Sequence, residues 1–335
     1  MDPIISLSHE LIQKGSKSFA MAAKLLPRDV RYDAMMLYAW CRHCDDVIDD
    51  QILGFARDTA GTETPAERLE QLQEKTKRAL HGDAHEPVFI ALGRVTRKHG
   101  IPDRHPMELL HGFEMDVNGR VYETLDDTLD YCYHVAGVVG VMMAMMMGVR
   151  DQPTLNRASD LGIAFQLTNI SRDVVEDAKG GRCYLPREWL REAGIDGPDL
   201  SDPEHRPAVF QVTRKLLHEA DEYYRSALFG MQRLPLGAAV GIGCARRVYR
   251  DIGRIVANRG ESAWDSRAVV GRSRKAAAAI SGAIAALRAH TTLRIGYAPN
   301  RNGLWTVPGL GKHPPEPASR VPCESGRQRA AEGVA

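Results

Sequence analysis

Asp45-Asp46-Val47-Ile48-Asp49-Asp50 is the stretch that decides how this 335-residue chain is read. It closes a segment, Tyr38-Ala39-Trp40-Cys41-Arg42-His43-Cys44, whose apolar spacing is helical. Residues four apart share a helix face, with Cβ atoms about 5–6 Å from each other. Asp45 and Asp49 therefore point the same way. Two carboxylates at about 5 Å repel by about 3 kcal/mol at an effective dielectric of about 20. A helix that also carries Trp40, Val47 and Ile48 would not hold such a pair in a dry core without cations. Tyr38, Arg42, Asp45 and Asp49 form one continuous stripe along it. Asp46 and Asp50 make a second pair, one position out of step, and phase with Tyr38 and Arg42 favours Asp45 and Asp49.

Further along, Asn169-Ile170-Ser171-Arg172-Asp173-Val174-Val175-Glu176-Asp177 repeats the arrangement, with Gln166, Asn169, Asp173 and Asp177 as the stripe. An acidic run is most often a solvated face, and either cluster alone fits that account. Two matching stripes, each mixing carboxylates with a cation or amides, are much less common by chance. Hard divalent cations take oxygen ligands and are usually held by one or two carboxylates plus substrate phosphates. The pattern thus predicts two acidic helices facing across a cavity, holding a phosphorylated substrate through metal bridges.

Around these stripes the chain reads as helical throughout. No sustained period-2 alternation occurs, and helical periodicity recurs from Ile4 to about Ile295. It predicts helices near 5–24, 28–50, 65–81, 86–99, 105–117, 126–148, 153–178, 205–230, 235–258 and 267–290. Pro27 suits a helix start and Gly180-Gly181 a helix stop. One domain over 1–295 is expected, followed by a proline-rich tail over 296–335 too poor in large apolar residues to order itself. Loops 51–64 and 180–186, beside the two clusters, are candidate lids, with plain surface connection as the bland account.

Charge is balanced, 44 Lys and Arg against 43 Asp and Glu, so no global field favours nucleic acid. Met1–Glu10 lacks a signal-peptide pattern, and the longest apolar stretch, 135–149, is too short to span a bilayer. A cytoplasmic protein is expected. The six cysteines form no framework, and Cys41-Arg42-His43-Cys44 has no partner pair to complete a zinc site.

Several ordered motifs resemble one family. Gly15-Ser16-Lys17-Ser18-Phe19, Tyr38 through Asp50, Tyr131-Cys132-Tyr133-His134-Val135-Ala136-Gly137-Val138-Val139-Gly140, and Gln166 through Asp177 followed by Arg182-Cys183-Tyr184-Leu185-Pro186 are similar to head-to-head prenyl diphosphate synthases. The pattern most resembles the bacterial phytoene-forming branch of the squalene/phytoene synthase family, over roughly residues 5–295. The resemblance implies an all-α isoprenoid synthase-type bundle around a central cavity. It also implies condensation of two geranylgeranyl diphosphates, with Mg²⁺ or Mn²⁺ and no NADPH.

Carried over by motif, Asp45, Asp46, Asp49, Asn169, Asp173 and Asp177 would hold metal. Lys17, Arg42, Arg172 and Arg267 would meet diphosphate oxygens, with Tyr249 and Gln166 nearby. Tyr131 would stabilise positive charge, Tyr38 would contact substrate, and Phe19, Val135, Val139, Gly140 and Leu167 would line the hydrocarbon path. Tyr131, Phe19, the valines and Met142 to Met147 read equally well as core, and Arg172–Glu176 as a surface pair. The competing readings are a C30 synthase using farnesyl diphosphate, a chain-elongating prenyltransferase or terpene cyclase, and a non-catalytic assembly factor. Gly241-Ile242-Gly243 is no dinucleotide fingerprint, since Arg246 stands where glycine is required. The Tyr131–Gly140 block argues against elongating enzymes, and intact acidic clusters argue against the assembly factor. Water-insoluble substrates predict loose contact with a membrane surface and with downstream carotenoid enzymes.

Overall fold

Helix follows helix along the chain, as the periodicity requires. The structure is a computed structural model and describes residues 2–15, 23–52, 55–56, 63–195, 199–291 and 300–306. The helices are α1 (Pro3–Gly15), α2 (Arg28–Ile48), α3 (Pro65–His81), α4 (Pro87–His99), α5 (Arg104–Val117) and α6 (Leu125–Met146). After these come α7 (Gln152–Lys179), α8 (Arg187–Glu192), α9 (Arg206–Gly230), α10 (Leu236–Arg259) and α11 (Arg272–Thr291). A two-residue antiparallel ribbon, β1 (Gln51–Ile52) with β2 (Phe55–Ala56), pairs Gln51 with Ala56 and Ile52 with Phe55.

Local chemistry sets these boundaries. At α3, Thr64 and Glu67 form a reciprocal capping box and Pro65 occupies the first turn. Asp151 accepts from the Thr154 N–H to start α7, which ends at Lys179 before Gly181 turns through φ 76°. Helix α2 ends at Ile48, two residues earlier than expected, because Asp50 takes a left-handed φ of 51°. Helix α8 was not anticipated. The last helix begins at Arg272 instead of 267, which leaves Arg267 in a loop.

Helix α7 is the central member, packed against α6, α9 and α10, while α2 packs on α1 and α4, and α11 on α10. Close approach of α6 to α7 rests on glycine. A Cβ on Gly162 would lie 2.2 Å from Ala136 O, and one on Gly140 would lie 2.3 Å from Ala158 O. At the same level α6 widens into a π turn, Tyr133–Gly137, a device common at functional sites. By length and composition, Leu125–Met146 could cross a membrane, which the 135–149 stretch taken alone could not. Most of it is buried in the body, as a core helix is. Arg301 and Trp305, which the sequence reading gave to the tail, are held in this body. Arg301 binds the buried Asp160 through two nitrogens at 2.5 and 2.8 Å, and the Trp305 N–H donates to the Tyr223 hydroxyl at 3.0 Å.

Candidate active site

A cavity of about 640 Å³ runs between α2, α5, α6, α7 and α10. Its two ends differ in chemistry. One end carries Arg42, Asp45, Asp49, Asp116, Asn169, Arg172, Arg182 and Arg267. The rest is walled mainly by apolar side chains such as Val135, Val139, Met143, Phe165, Ile242 and Val248, with Arg157 and Thr154 among them.

Helix α2 brings Tyr38, Arg42, Asp45 and Asp49 to the wall, the stripe expected from the sequence. Arg42 donates to Asp45 at 3.0 Å and to Asp46 at 2.7 Å. Of the two overlapping pairs, Asp45 and Asp49 line the cavity and Asp46 and Asp50 do not. Burial pushes the Asp45 carboxyl up to about 6, against the lowering effect of Arg42. Burial likewise carries the Tyr38 phenol to about 12, so it stays neutral.

Helix α7 presents Gly162, Phe165, Gln166, Asn169 and Arg172. Asn169 Nδ2 donates to Gln166 Oε1 at 3.3 Å. Asp173 is held by Arg172 at 2.5 Å and by Arg267 at 3.3 Å, while Arg267 also donates to Glu176 at 3.2 Å. The Asp177 backbone carbonyl accepts from the Arg182 backbone N–H at 2.9 Å, but its carboxylate makes no hydrogen bond or ion pair among the described residues. Its carboxyl is raised to about 7, first by burial and then by the charge of Asp173. Tyr249 lines the cavity and stacks on Phe165 at 4.2 Å. Asp173 and Asp177 stand beside the charged end without facing its surface.

Three residues with no assigned role complete the site. Arg182, just past the glycine turn, spans to α2 and donates to Asp49 at 2.5 Å. Asp116, from α5, accepts from the Tyr131 hydroxyl at 3.0 Å and from the Tyr184 hydroxyl at 2.9 Å. The Tyr131 and Tyr184 rings stack at 4.6 Å. Burial raises the Asp116 carboxyl, partly offset by Arg182 and the two phenols. Arg182 and Tyr184 lay inside a run already singled out. Asp116 could have been found from Leu109, Phe113 and Asp116, a stripe that also lines the cavity.

Val135, Val139 and Gly140 fall on the wall as expected. Leu167 does not. It is fully buried but turned about 100° from Gln166, into the packing between helices. Lys17 and Phe19 lie outside the described residues.

The charged end offers mainly oxygen donors, from carboxylates and the Asn169 amide. The Cys41 thiol lies beside them, and burial keeps it protonated. The set suits a hard divalent cation. Asp45, Asp116 and Asp177 all have carboxyls raised by burial, with like charges contributing, so the ionised forms lack sufficient compensation. A cation would supply it. Among the described residues, no three acidic, His or Cys groups converge closely enough to hold a metal by themselves. Two or more of the carboxylates are engaged by arginines instead.

The comparisons bear on this arrangement. A 15-cis-phytoene synthase of Enterobacter agglomerans is 50% identical over 297 residues, 89% of this chain and 100% of that protein. One from Paracoccus sp. is 48% identical over 311 residues, covering 92% and 99%. A dehydrosqualene synthase crystal structure superposes with a TM-score of 0.74 at 28% identity, over 83% of this chain and 95% of the other. The family model described as squalene/phytoene synthase matches residues 12–274, the span that builds both acidic helices and the cavity between them, and the chain belongs to that family of prenyltransferases.

Proposed function

We propose that this chain is a phytoene synthase. Two geranylgeranyl diphosphates condense head to head through a cyclopropylcarbinyl diphosphate, prephytoene diphosphate, which rearranges to phytoene as the second diphosphate leaves. The observation that carries this reading is a cavity that joins a cluster of arginines and carboxylates to a mainly apolar wall, in a chain half identical to named phytoene synthases.

Departure of an allylic diphosphate creates an anion and a carbocation together, and both need stabilising away from water. Arg42, Arg172, Arg182 and Arg267 supply fixed cations for the phosphate oxygens. In taking up diphosphate they would relax their hold on Asp45, Asp49 and Asp173, and those carboxylates then become available to Mg²⁺. Asp45, Asp49, Asn169, Asp173 and Asp177 are the residues that would hold it, with Asp46 adjacent. Bound there, the ion would neutralise the leaving diphosphate.

Tyr131 and Tyr184 remain neutral phenols, since burial raises both. Their stacked rings and the Asp116 carboxylate offer negative potential to a cation formed beside them. Val135, Val139, Met143 and Phe165 exclude water and bind the isoprenoid chains. We place the enzyme in the cytoplasm against a membrane that receives the insoluble product and passes it to later carotenoid enzymes.

Purified protein incubated with Mg²⁺ and geranylgeranyl diphosphate, without nicotinamide cofactor, is expected to release phytoene. Asp173→Ala is expected to abolish it. A C30 hydrocarbon formed from farnesyl diphosphate, with none from the C20 substrate, would replace the chain-length assignment. No hydrocarbon from either would reject the catalytic reading.

A further inference from the structure

Helix α11 is inside out for a helix on a water-facing surface. Its inner face carries only small buried residues, Ala278, Gly282, Ala286 and Ala289. A Cβ on Gly282 would sit 2.4 Å from Cys244 N, so the helix lies directly on α10. Its large apolar residues point outward: Ile280 is 66% exposed, Ile284 49% and Leu287 58%. Ala276, Ala277 and Ala283 fill the gaps, making one exposed apolar stripe along the helix.

The apolar part of the cavity lies behind the helix that α11 covers. Helix α10, beneath α11, lines the cavity through Gly241, Ile242, Cys244, Ala245 and Val248. At the far end of α11, His290 Nε2 lies 2.9 Å from Leu234 O. Leu234 and Leu26 line the cavity, whereas the adjoining Leu236 and Leu25 are exposed. Those two meet near Gly237, whose Cβ would lie 3.6 Å from Leu25 O.

Cations border the stripe. Arg274 and Arg288 are exposed on α11, Arg233 beside Leu236, and Lys24 and Arg28 beside Leu25. No Asp or Glu occurs anywhere from Ser266 to Pro315, or from Tyr223 to Arg250. An apolar stripe bordered by cations, on a helix that itself carries no acid, is complementary to an anionic lipid surface.

We infer that the outer face of α11, with Leu25 and Leu236, is the surface by which this protein docks on anionic membrane. The apolar part of the cavity is thereby set against the bilayer that supplies the prenyl chains and takes up the product. The purpose rests on the prenyl-lipid chemistry proposed above, but the docking itself is tested independently of turnover.

The test uses full-length protein floated with phosphatidylcholine vesicles, with and without phosphatidylglycerol. Wild type is expected to float with the anionic vesicles. Ile280→Ser/Ile284→Ser/Leu287→Ser is expected to lose about tenfold or more in partitioning. Its turnover of detergent-dispersed substrate should be unchanged, because none of the three lines the cavity. Should that variant fail to fold by circular dichroism, Arg274→Glu/Arg288→Glu decides, with a similar loss expected. Unchanged flotation of a folded variant overturns the inference, as does failure of wild type to float. So does a wild-type dimer by light scattering that the triple variant converts to monomer without altered flotation, which would make the stripe an interface between two copies. Failure of turnover with docking intact would instead count against the proposed reaction alone.

Discussion

Asp177 shows what a single residue here gives up. Its carboxyl ordinarily titrates at 3.8 but is raised to about 7 by burial and by Asp173. The folded chain therefore holds a proton that the unfolded chain releases between those two values. For this group, folded stability is full below about 3.8 and is lost as pH rises through about 7. Asp177→Asn removes that ionisation. The metal-free variant is expected to melt a few degrees above wild type at pH 8, with the difference vanishing near pH 4. Turnover should fall by about 100-fold or more. Melting curves across pH check the first claim, and identical curves for the two proteins at pH 8 would refute it. The placement of Asp45 and Asp49 was legible because helical phase decides between two overlapping pairs. Asp116 was only weakly legible: the Leu109, Phe113 and Asp116 stripe gives its face, but its role shows only once Tyr131 and Tyr184, brought in from other segments, donate to it.

At the scale of elements, helix existence was legible and helix quality was not. The period-3.6 pattern located α2, α3, α4, α5, α7, α9 and α10, and cap chemistry placed many of their ends. The π turn at Tyr133–Gly137 has no sequence signature, because it is imposed where α6 passes α7 at van der Waals distance. The late start of α11 was equally hidden, and it matters: in a loop, Arg267 reaches back to Asp173 and Glu176. Gly162 is the point where these constraints meet. Alanine there would place Cβ 2.2 Å from Ala136 O, a backbone atom that cannot step aside without moving the π turn. Gly162→Ala is expected to cost about 2 kcal/mol or more in urea unfolding, the scale of core overpacking. Because Val135 and Ala136 line the cavity at that level, substrate affinity should weaken in parallel. A variant as stable as wild type would show that α6 yields more easily than this geometry implies.

Over the whole molecule, composition ends the fold before Arg301 and the structure carries it further, because ion pairing across distant positions leaves no local trace. Asp160 is fully buried in α7 and is met by Arg301, 141 residues later, and by the Ser226 hydroxyl at 2.5 Å. Arg157, also on α7, donates to the same hydroxyl at 3.0 Å. The Trp305 ring lies 5.5 Å from the Tyr133 ring, at the start of the π turn. The segment around Arg301 thus closes the back of the central helix. A buried pair contributes little net stability over an apolar replacement, but losing one partner leaves a charge stranded in low dielectric. Arg301→Ala is expected to destabilise the fold by about 3–5 kcal/mol, whereas Asp160→Leu/Arg301→Met should recover most of that loss. A chain stopped after residue 295 should behave like Arg301→Ala or worse. One stopped after residue 311 should keep wild-type stability and turnover. Equal urea midpoints for wild type and Arg301→Ala would show that water or a rearranged neighbour satisfies Asp160. The end of the folded body would then lie before Arg301, where composition alone puts it.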